Sequence, residues 1–386
     1  MIFVLSVLSL IIWLYLCFAH HGFWRRREFL DPVETPQAQD WPSILSLTPA
    51  RNEEELITQS FSSILSQNYH GTLETILIDD ASTDKTAYCA KQAAKAARPT
   101  AQAHIIQAPP LEKGWSGKLW ALQAGLDYIQ DTGLKAEYYW LSDADIQHEP
   151  YVLRRLVNRA QKQDIALVSL MVSLNCNSFW ENRIIPAFIY YFQMLYPFNS
   201  INNAKHKRGG AAGGCILIRR DALEAIGGFH SIKNKLIDDC ELGKAVKHKG
   251  YKIWLGHGVN SRSLRPSTGL TSLWKMVTRT AFAQLSYSYI YLFLAILGML
   301  ILYAPPVFAF IYGLFYAAPI LACLGGLSWG LMALTFYPTL RAYQRPWPEG
   351  LFMPFTAHLF IGMTLQAGWL HFKGKHSGWH GRVYNN

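Results

Sequence analysis

Residues 280–340 form a run of 61 positions without one charged side chain. An ordinary soluble domain does not go that far without a charge, whereas ~20 apolar residues suffice to cross a bilayer. Within the run, 289–303 and 308–337 are strongly apolar and are separated by Pro305–Pro306, so two crossings are expected. They return the chain at Arg341 and Arg345 to the side from which it left. Residues 1–19 are also uncharged, and Arg25-Arg26-Arg27 follow. A secretory signal carries its positive charge ahead of the apolar run. Here the charge comes after it, which favours an uncleaved anchor with everything beyond Arg25 in the cytoplasm. A third uncharged stretch, 351–370, is interrupted by Pro354, His358 and Gln366. It can span or lie at the interface, and the basic tail (Lys373, Lys375, Arg382) favours the interface, because spanning would put that charge outside.

Composition agrees. Charged residues are 16% of the chain, against ~25% in soluble domains, and aromatics are too frequent for a disordered chain. Lys+Arg outnumber Asp+Glu by 36 to 26, but the excess flanks apolar blocks, which reads as membrane anchoring rather than nucleic-acid binding. The six cysteines form no CxxC pair, so neither a disulfide framework nor a zinc ribbon is indicated, and a reducing compartment is expected. His371, His376 and His380 have only a loose, metal-like spacing.

Between the apolar ends, β-like runs at 44–48, 73–78, 104–107, 138–142 and 165–173 alternate with helical stretches at 54–67, 86–97, 118–130 and 150–162. That alternation predicts an α/β fold: a mostly parallel sheet with helices on both faces. Ligands in such sheets bind at the carboxyl ends of the strands. The expected division is an anchor (1–20), a cytoplasmic domain (28–275), two membrane helices (280–340) and a membrane-associated segment with a basic tail (350–386).

The acids fall at strand ends. The first strand ends in Thr48-Pro49-Ala50-Arg51-Asn52-Glu53 and the second in Asp79-Asp80-Ala81-Ser82-Thr83-Asp84. Three carboxylates within six residues repel one another unless a cation or a donor-rich ligand offsets them. The fourth strand ends in Asp143-Ala144-Asp145, whose alternate carboxylates can converge on a divalent ion with diphosphate oxygens completing the shell. Asp238-Asp239-Cys240-Glu241 opens a helix; its acids serve either as helix caps or as a general base. The glycines of 209–214 lack the GK[ST] ending of a phosphate loop, and allow close backbone approach instead. Lys118, at a helix start, can meet a phosphate as a point charge. The apolar, aromatic stretch 184–198 is too short to span and is either a buried helix or an interfacial one.

In this order, PARNEE, DDASTD, GKLWAL, DAD, AGGC with the arginines after it, and IDDCEL resemble family 2 glycosyltransferases of the GT-A fold. The stretches GWSGKLWAL, LSDADIQHEP, FWENRIIPAF, FQMLYPF, AAGGC, LIDDCEL, SLRP and RTAFAQL are similar to the hopene-associated members of bacterial hopanoid biosynthesis. The resemblance implies an inverting enzyme of the inner (cytoplasmic) membrane, using a nucleotide-diphosphate sugar (a UDP-sugar favoured) and Mg²⁺ or Mn²⁺. It implies that Asp79 and Asp80 hold the nucleoside beside Pro49 and Glu53, and that Asp143 and Asp145 meet the metal and diphosphate. It also implies that Asp239 is the general base, with Asp238, Gly213 and Gly214 on the acceptor side. The QxxRW motif of processive members is reduced here to Arg279, which favours transfer of one sugar and leaves that arginine available to the diphosphate. A hopanoid or related lipid is the expected acceptor. A polyprenyl phosphate, served by Lys205, Lys207 and Arg208, and an inactive membrane scaffold are the competing readings.

Overall fold

The computed structural model describes residues 1–32, 41–99, 101–267 and 269–374, together with the backbone of 378–379 and 382–383. Lys375, His376 and His380 lie outside the described residues. In chain order the elements are α1 (Ile2–Phe18), β1 (Ile44–Ala50), α2 (Ile57–Leu65), β2 (Leu73–Asp79), α3 (Thr86–Ala96), β3 (Gln102–Gln107), α4 (Gly117–Thr132), β4 (Tyr138–Ser142) and β5 (Ile146–His148). They continue with α5 (Val152–Gln163), β6 (Leu167–Ser173), α6 (Phe179–Leu195), α7 (Phe198–Asn202), β7 (Cys215–Arg219), α8 (Arg220–Ala225), α9 (Asp238–His248) and β8 (Ile253–Ser263). Four helices close the series: α10 (Gly269–Gln284), α11 (Tyr289–Phe315), α12 (Pro319–Ala342) and α13 (Met353–Phe372).

The chain clusters into two compact units. One comprises Met1–Arg27, Cys176–Asn199 and Ser267–Ser377; the other comprises Glu28–Asn175, Ser200–Pro266 and Gly378–Asn386. Residues 176–199, inside the linear 28–275 segment, thus cluster with the helices.

In the sheet unit, eight strands follow the order β3-β2-β1-β4-β7-β6-β8-β5. β3, β2, β1 and β4 run parallel to one another, and β6 is parallel to β8. β7 runs antiparallel to both β4 and β6, and β5 antiparallel to β8. The sheet is therefore mixed, where strand–helix alternation predicts a mostly parallel one. β1 and β4 are buried along their whole length, as parallel strands covered on both faces must be. Trp140, Leu153, Val168, Leu217 and Trp254 share one core cluster. Ser116 caps α4 by accepting from the Leu119 amide, and Gly133, at φ 71°, ends the helix in the left-handed conformation that an L side chain resists.

The helical unit contains α1, α6 and α10 to α13. Among the described residues, α11 and α12 are the two helices long and apolar enough to cross a membrane, and α1 is a shorter apolar helix of 17 residues. α11 runs unbroken through Pro305 and Pro306, and the chain turns at 316–318. This corrects the expected break at the prolines, and α1 supplies the reason. Pro306 has no N–H to give the carbonyl one turn back. That carbonyl, Leu302 O, accepts instead from Trp13 Nε1 at 3.0 Å and Ser9 Oγ at 3.1 Å. α6 begins with a capping box between Ser178 and Glu181, and Glu181 also accepts from the Ser267 amide at 2.7 Å. Ile184, Ile185, Ile189 and Tyr190 of α6 are buried, and Tyr190 bonds Thr335 of α12 at 2.8 Å. The apolar stretch is thus a buried helix of this unit.

Candidate active site

The β1–β4 ladder stops at Leu47–Leu141, while β1–β2 continues to Ala50–Asp79. The carboxyl ends of the parallel strands open around that fork, beside the reversal at β7, which is where open α/β sheets place ligands. Pro49 lies at the fork and lines a cavity of about 10 Å³ together with Lys118, Asp143, Gly213, Asp238 and Asp239. Five of the residues expected from sequence thus meet with the proline around one small space.

On the β1–β2 side, Asp79 accepts from the Ser82 amide at 3.2 Å and from the Ser82 hydroxyl. Arg51 donates to the Asp80 and Ala81 carbonyls, the latter at 3.2 Å, and its guanidinium stands 3.9 Å from Asp80 Oδ2. Asn52 and Ala81 both sit at positive φ (52° and 51°), a conformation that costs non-glycine residues energy and clusters at functional loops. Glu53 is buried, its amide donates to Thr86 Oγ1 at 2.7 Å, and its carboxylate pairs with Arg265. Burial pushes the Glu53 carboxyl up to about 7, with Asp145 and Asp143 adding to the shift and Arg265 opposing it.

At the end of β4, Asp143 and Asp145 each meet a cation. Lys118 Nζ lies 2.6 Å from Asp143 Oδ1 and 3.6 Å from Asp238 Oδ2. Arg265 Nε lies 3.4 Å from Asp145 Oδ2, which also accepts from Ser263 Oγ at 3.0 Å. Burial raises the Asp143 pKa, and Asp145 and Asp238 push the same way against Lys118. Burial works against the charge on Lys118, yet Asp143 and Asp238 overcome it and hold its pKa above the ordinary lysine value. The ammonium therefore stays charged while the acids compete for it.

The third side is built by pairing β7 backwards on β4. Ser142 stands opposite Cys215, and the Asp143 amide donates to Gly214 O at 3.4 Å. Gly213 then meets α9: its amide donates to Asp239 Oδ2 at 2.7 Å, and the Cys240 amide donates to Asp239 Oδ1 at 2.7 Å. Burial and the neighbouring Asp238 raise the Asp239 pKa, against Lys118 and those two amides. A carboxyl poised this way suits proton transfer near neutral pH.

The sequence profile described as Glycosyl transferase family 2 matches residues 47–227, and that described as Glycosyl transferase family group 2 matches residues 141–370, more than half of the chain. The chain belongs to the family 2 glycosyltransferases. Among solved structures, the mannosyltransferase PcManGT from Pyrobaculum calidifontis, in complex with GDP-Man and Mn²⁺, is 17% identical. That match covers 95% of this chain and 99% of that one with a TM-score of 0.57, a likeness of fold. Two more distant structures are glucosyl-3-phosphoglycerate synthase from Mycobacterium tuberculosis, in complex with Mg²⁺ and UDP (18% identity, 63% and 79% covered, TM-score 0.40), and S. aureus TarS 1-349 in complex with UDP-GlcNAc (12% identity, 86% and 92% covered, TM-score 0.39). No curated protein matches the sequence.

In this glycosyltransferase the cavity is lined by half of the expected site residues; Glu53, Asp79, Asp80, Asp145 and Gly214 are not among its lining, and Arg279 lies on α10 in the helical unit. Arg51, Arg265 and Ser263 are additions. Arg51 sits inside PARNEE and Arg265 inside SLRP, but neither stretch shows that its arginine reaches the acids of another loop. The buried His148 is another addition. It bonds Ser142 at 2.8 Å and Ser261 at 2.9 Å, and burial lowers its pKa to about 3, so it braces the end of β4 as a neutral ring.

Among the described residues no group of three or more His, Cys, Asp or Glu is arranged to hold a metal ion. Asp143 and Asp145 nonetheless present two hard carboxylate donors at one strand end. That pair fits Mg²⁺ or Mn²⁺ provided that ligand oxygens fill the rest of the shell.

Proposed function

We propose that this family 2 glycosyltransferase is an inverting, metal-assisted membrane enzyme that moves one sugar from a nucleotide-diphosphate sugar, a UDP-sugar favoured, to a lipid hydroxyl, the acceptor being a hopanoid or a related polycyclic lipid. The observation that carries the reading is the meeting of Asp239, its pKa raised, with Asp143 and Lys118 around one cavity. Asp79, Asp80, Glu53 and Pro49 hold the nucleoside end of the donor. Lys118 meets the diphosphate. A divalent ion held by Asp143 and Asp145 supplies, when bound, positive charge for the departing diphosphate. Asp239 takes the proton of the acceptor hydroxyl as that oxygen bonds to the anomeric carbon. The bond to the diphosphate oxygen breaks on the opposite face, and its electron pair leaves with the nucleoside diphosphate. One displacement inverts the anomeric configuration and needs no covalent intermediate. Gly213, Gly214 and Asp238 shape the acceptor side.

The membrane part of the reading is supported by α11 and α12, whose most apolar stretches are only 22% and 28% buried. An ordinary core helix would hide most of that surface. Arg25 to Arg27, Arg341 and Arg345 favour the cytoplasmic side for the segments that carry them, with the uncharged α11–α12 turn on the opposite side.

The test supplies membranes containing the protein with hopanoid-rich lipid, Mn²⁺ and separate labelled UDP- and GDP-sugars. Label that reaches the lipid with the native protein and is lost with Asp239→Asn is the expected result. A product labile to mild acid would replace the hopanoid by a polyprenyl phosphate. Equal label with both proteins would remove Asp239 as the base. No label with any donor, in membranes shown to contain folded protein, would favour an inactive scaffold.

A further inference from the structure

Both carboxylates of the DAD segment are already held by cations of this chain, Asp143 by Lys118 and Asp145 by Arg265. Neither cation is there by default. Lys118 is the second residue of α4, where the helix dipole disfavours positive charge, so the acids are what hold it. Arg265 is presented by a turn anchored on the same segment. Leu264 N donates to Asp145 O at 2.8 Å, and Arg265 N donates to Ser263 Oγ at 3.3 Å. Ser263 Oγ in turn donates to Asp145 Oδ2 at 3.0 Å.

We propose that Lys118 and Arg265 are exchangeable counter-cations. They hold Asp143 and Asp145 when no divalent ion is bound, and they turn to the diphosphate of the donor when an ion takes the carboxylates. The proposal rests on the reading of Asp143 and Asp145 as metal ligands.

The charges decide the exchange. Glu53, Asp143, Asp145, Asp238 and Asp239 share the site with Lys118 and Arg265. An ion arriving alone must break both pairs and leave the ammonium and guanidinium facing an added positive charge. A diphosphate arriving alone adds negative charge to a site already rich in acids. Arriving together, ion and diphosphate cancel much of each other's charge, and the two released cations find phosphate oxygens. A guanidinium fork and a lysine at a helix N-terminus both suit that partner. Ion and nucleotide therefore bind as mutually dependent ligands, by the reciprocity that any such coupling obeys.

The test measures Mn²⁺ binding to the full-length protein in nanodiscs by the EPR signal of free Mn²⁺, with and without UDP or GDP. The native protein should bind Mn²⁺ roughly tenfold more tightly when nucleotide is present, within the usual range of such couplings. Arg265→Gln and Lys118→Met should each bind Mn²⁺ alone several-fold more tightly than the native protein, so that nucleotide adds less. Arg265→Lys keeps the charge and should stay close to native, which separates the cation from the packing of its side chain. Thermal melting verifies that each variant is folded. Native-like weak binding of Mn²⁺ alone by both neutral variants would overturn the proposal and leave the metal reading standing. Mn²⁺ binding unaffected by Asp143→Asn, or absent with either nucleotide, would overturn the metal reading and the proposal with it.

Discussion

The amide of Gly213 donates to Asp239 Oδ2 at 2.7 Å, and a methyl group on Gly213 would stand 3.2 Å from that oxygen and 3.0 Å from Lys118 Nζ. The glycine is thus a spacer between two charged side chains. Both neighbours are side-chain ends that can give way, so Gly213→Ala should change stability by less than about 1 kcal/mol. It should lower the transfer rate at least ~10-fold, because small displacements of reacting groups are costly. Thermal melting and initial rates on one preparation check both halves. A native rate would remove Gly213 from the reacting region.

Gly209 behaves differently although it lies in the same loop. A methyl group there would meet Lys244 Cα at 2.5 Å and Lys244 N at 2.9 Å, which are backbone atoms of α9. Gly209→Ala should therefore lose about 1–3 kcal/mol of stability through overpacking, with activity falling only as folded protein is lost. Denaturant melting followed beside specific activity per folded molecule distinguishes it from Gly213→Ala.

Two buried groups should tilt stability with pH in opposite directions. Glu53 has its pKa raised from 4.5 to about 7, so the folded protein binds this proton more tightly than the unfolded chain does. Its contribution falls as pH rises from 4.5 to 7. His148 has its pKa lowered from 6.5 to about 3, so its contribution rises with pH across that interval. Where the two windows overlap, the slopes offset each other. Glu53→Gln should make stability climb more steeply with pH in the overlap, and His148→Gln should expose the falling slope. Melting at stepped pH in detergent is the measurement. Curves parallel to native for either variant would refute the assignment for that residue.

In the helical unit, Trp13 and Ser9 serve the Leu302 carbonyl that Pro306 leaves without a helical partner. Trp13→Phe should cost about 1–2 kcal/mol by weakening the supply of donors to that acceptor. The cost should shrink when Pro306→Ala restores an N–H to the helix. A double-mutant cycle in apparent melting temperature reads this directly. Additive effects would mean that the indole bond has no special tie to the proline.

The first half of the sheet is legible because its strands announce themselves locally. Residues 138–142 are five buried residues ahead of an acidic turn, and β4 has those same bounds. Strand β1 starts at the expected Ile44 and merely runs two residues longer. β7 leaves no such trace: five residues long, it earns its place by pairing with β4 from far along the chain. The second half of β8 is polar, with Asn260, Ser261 and Arg262, and the residue it delivers, Arg265, has its partners at Glu53 and Asp145.

The acids of the site are legible for a related reason. Carboxylates crowded at a strand end cost energy and so advertise a cation or a ligand. Which cation answers them is a matter of tertiary placement. Lys118 reads locally as a phosphate contact, and in the folded chain it lies on Asp143. The proline pair misleads in the same way, since local rules end a helix at Pro305–Pro306 and a tryptophan near the other end of the chain supplies the missing donor.

The helical unit is assembled from three separated stretches of chain, of which α1 is the first to leave the ribosome and 267–377 the last. The Leu302 carbonyl that α1 serves lies 289 residues beyond Trp13 and does not exist until that length of chain has followed it. Most of the sheet unit, by contrast, is complete by Pro266, and domains tend to fold in the order of their synthesis. The helix that is born first must therefore wait through the folding of the sheet before it meets its partner.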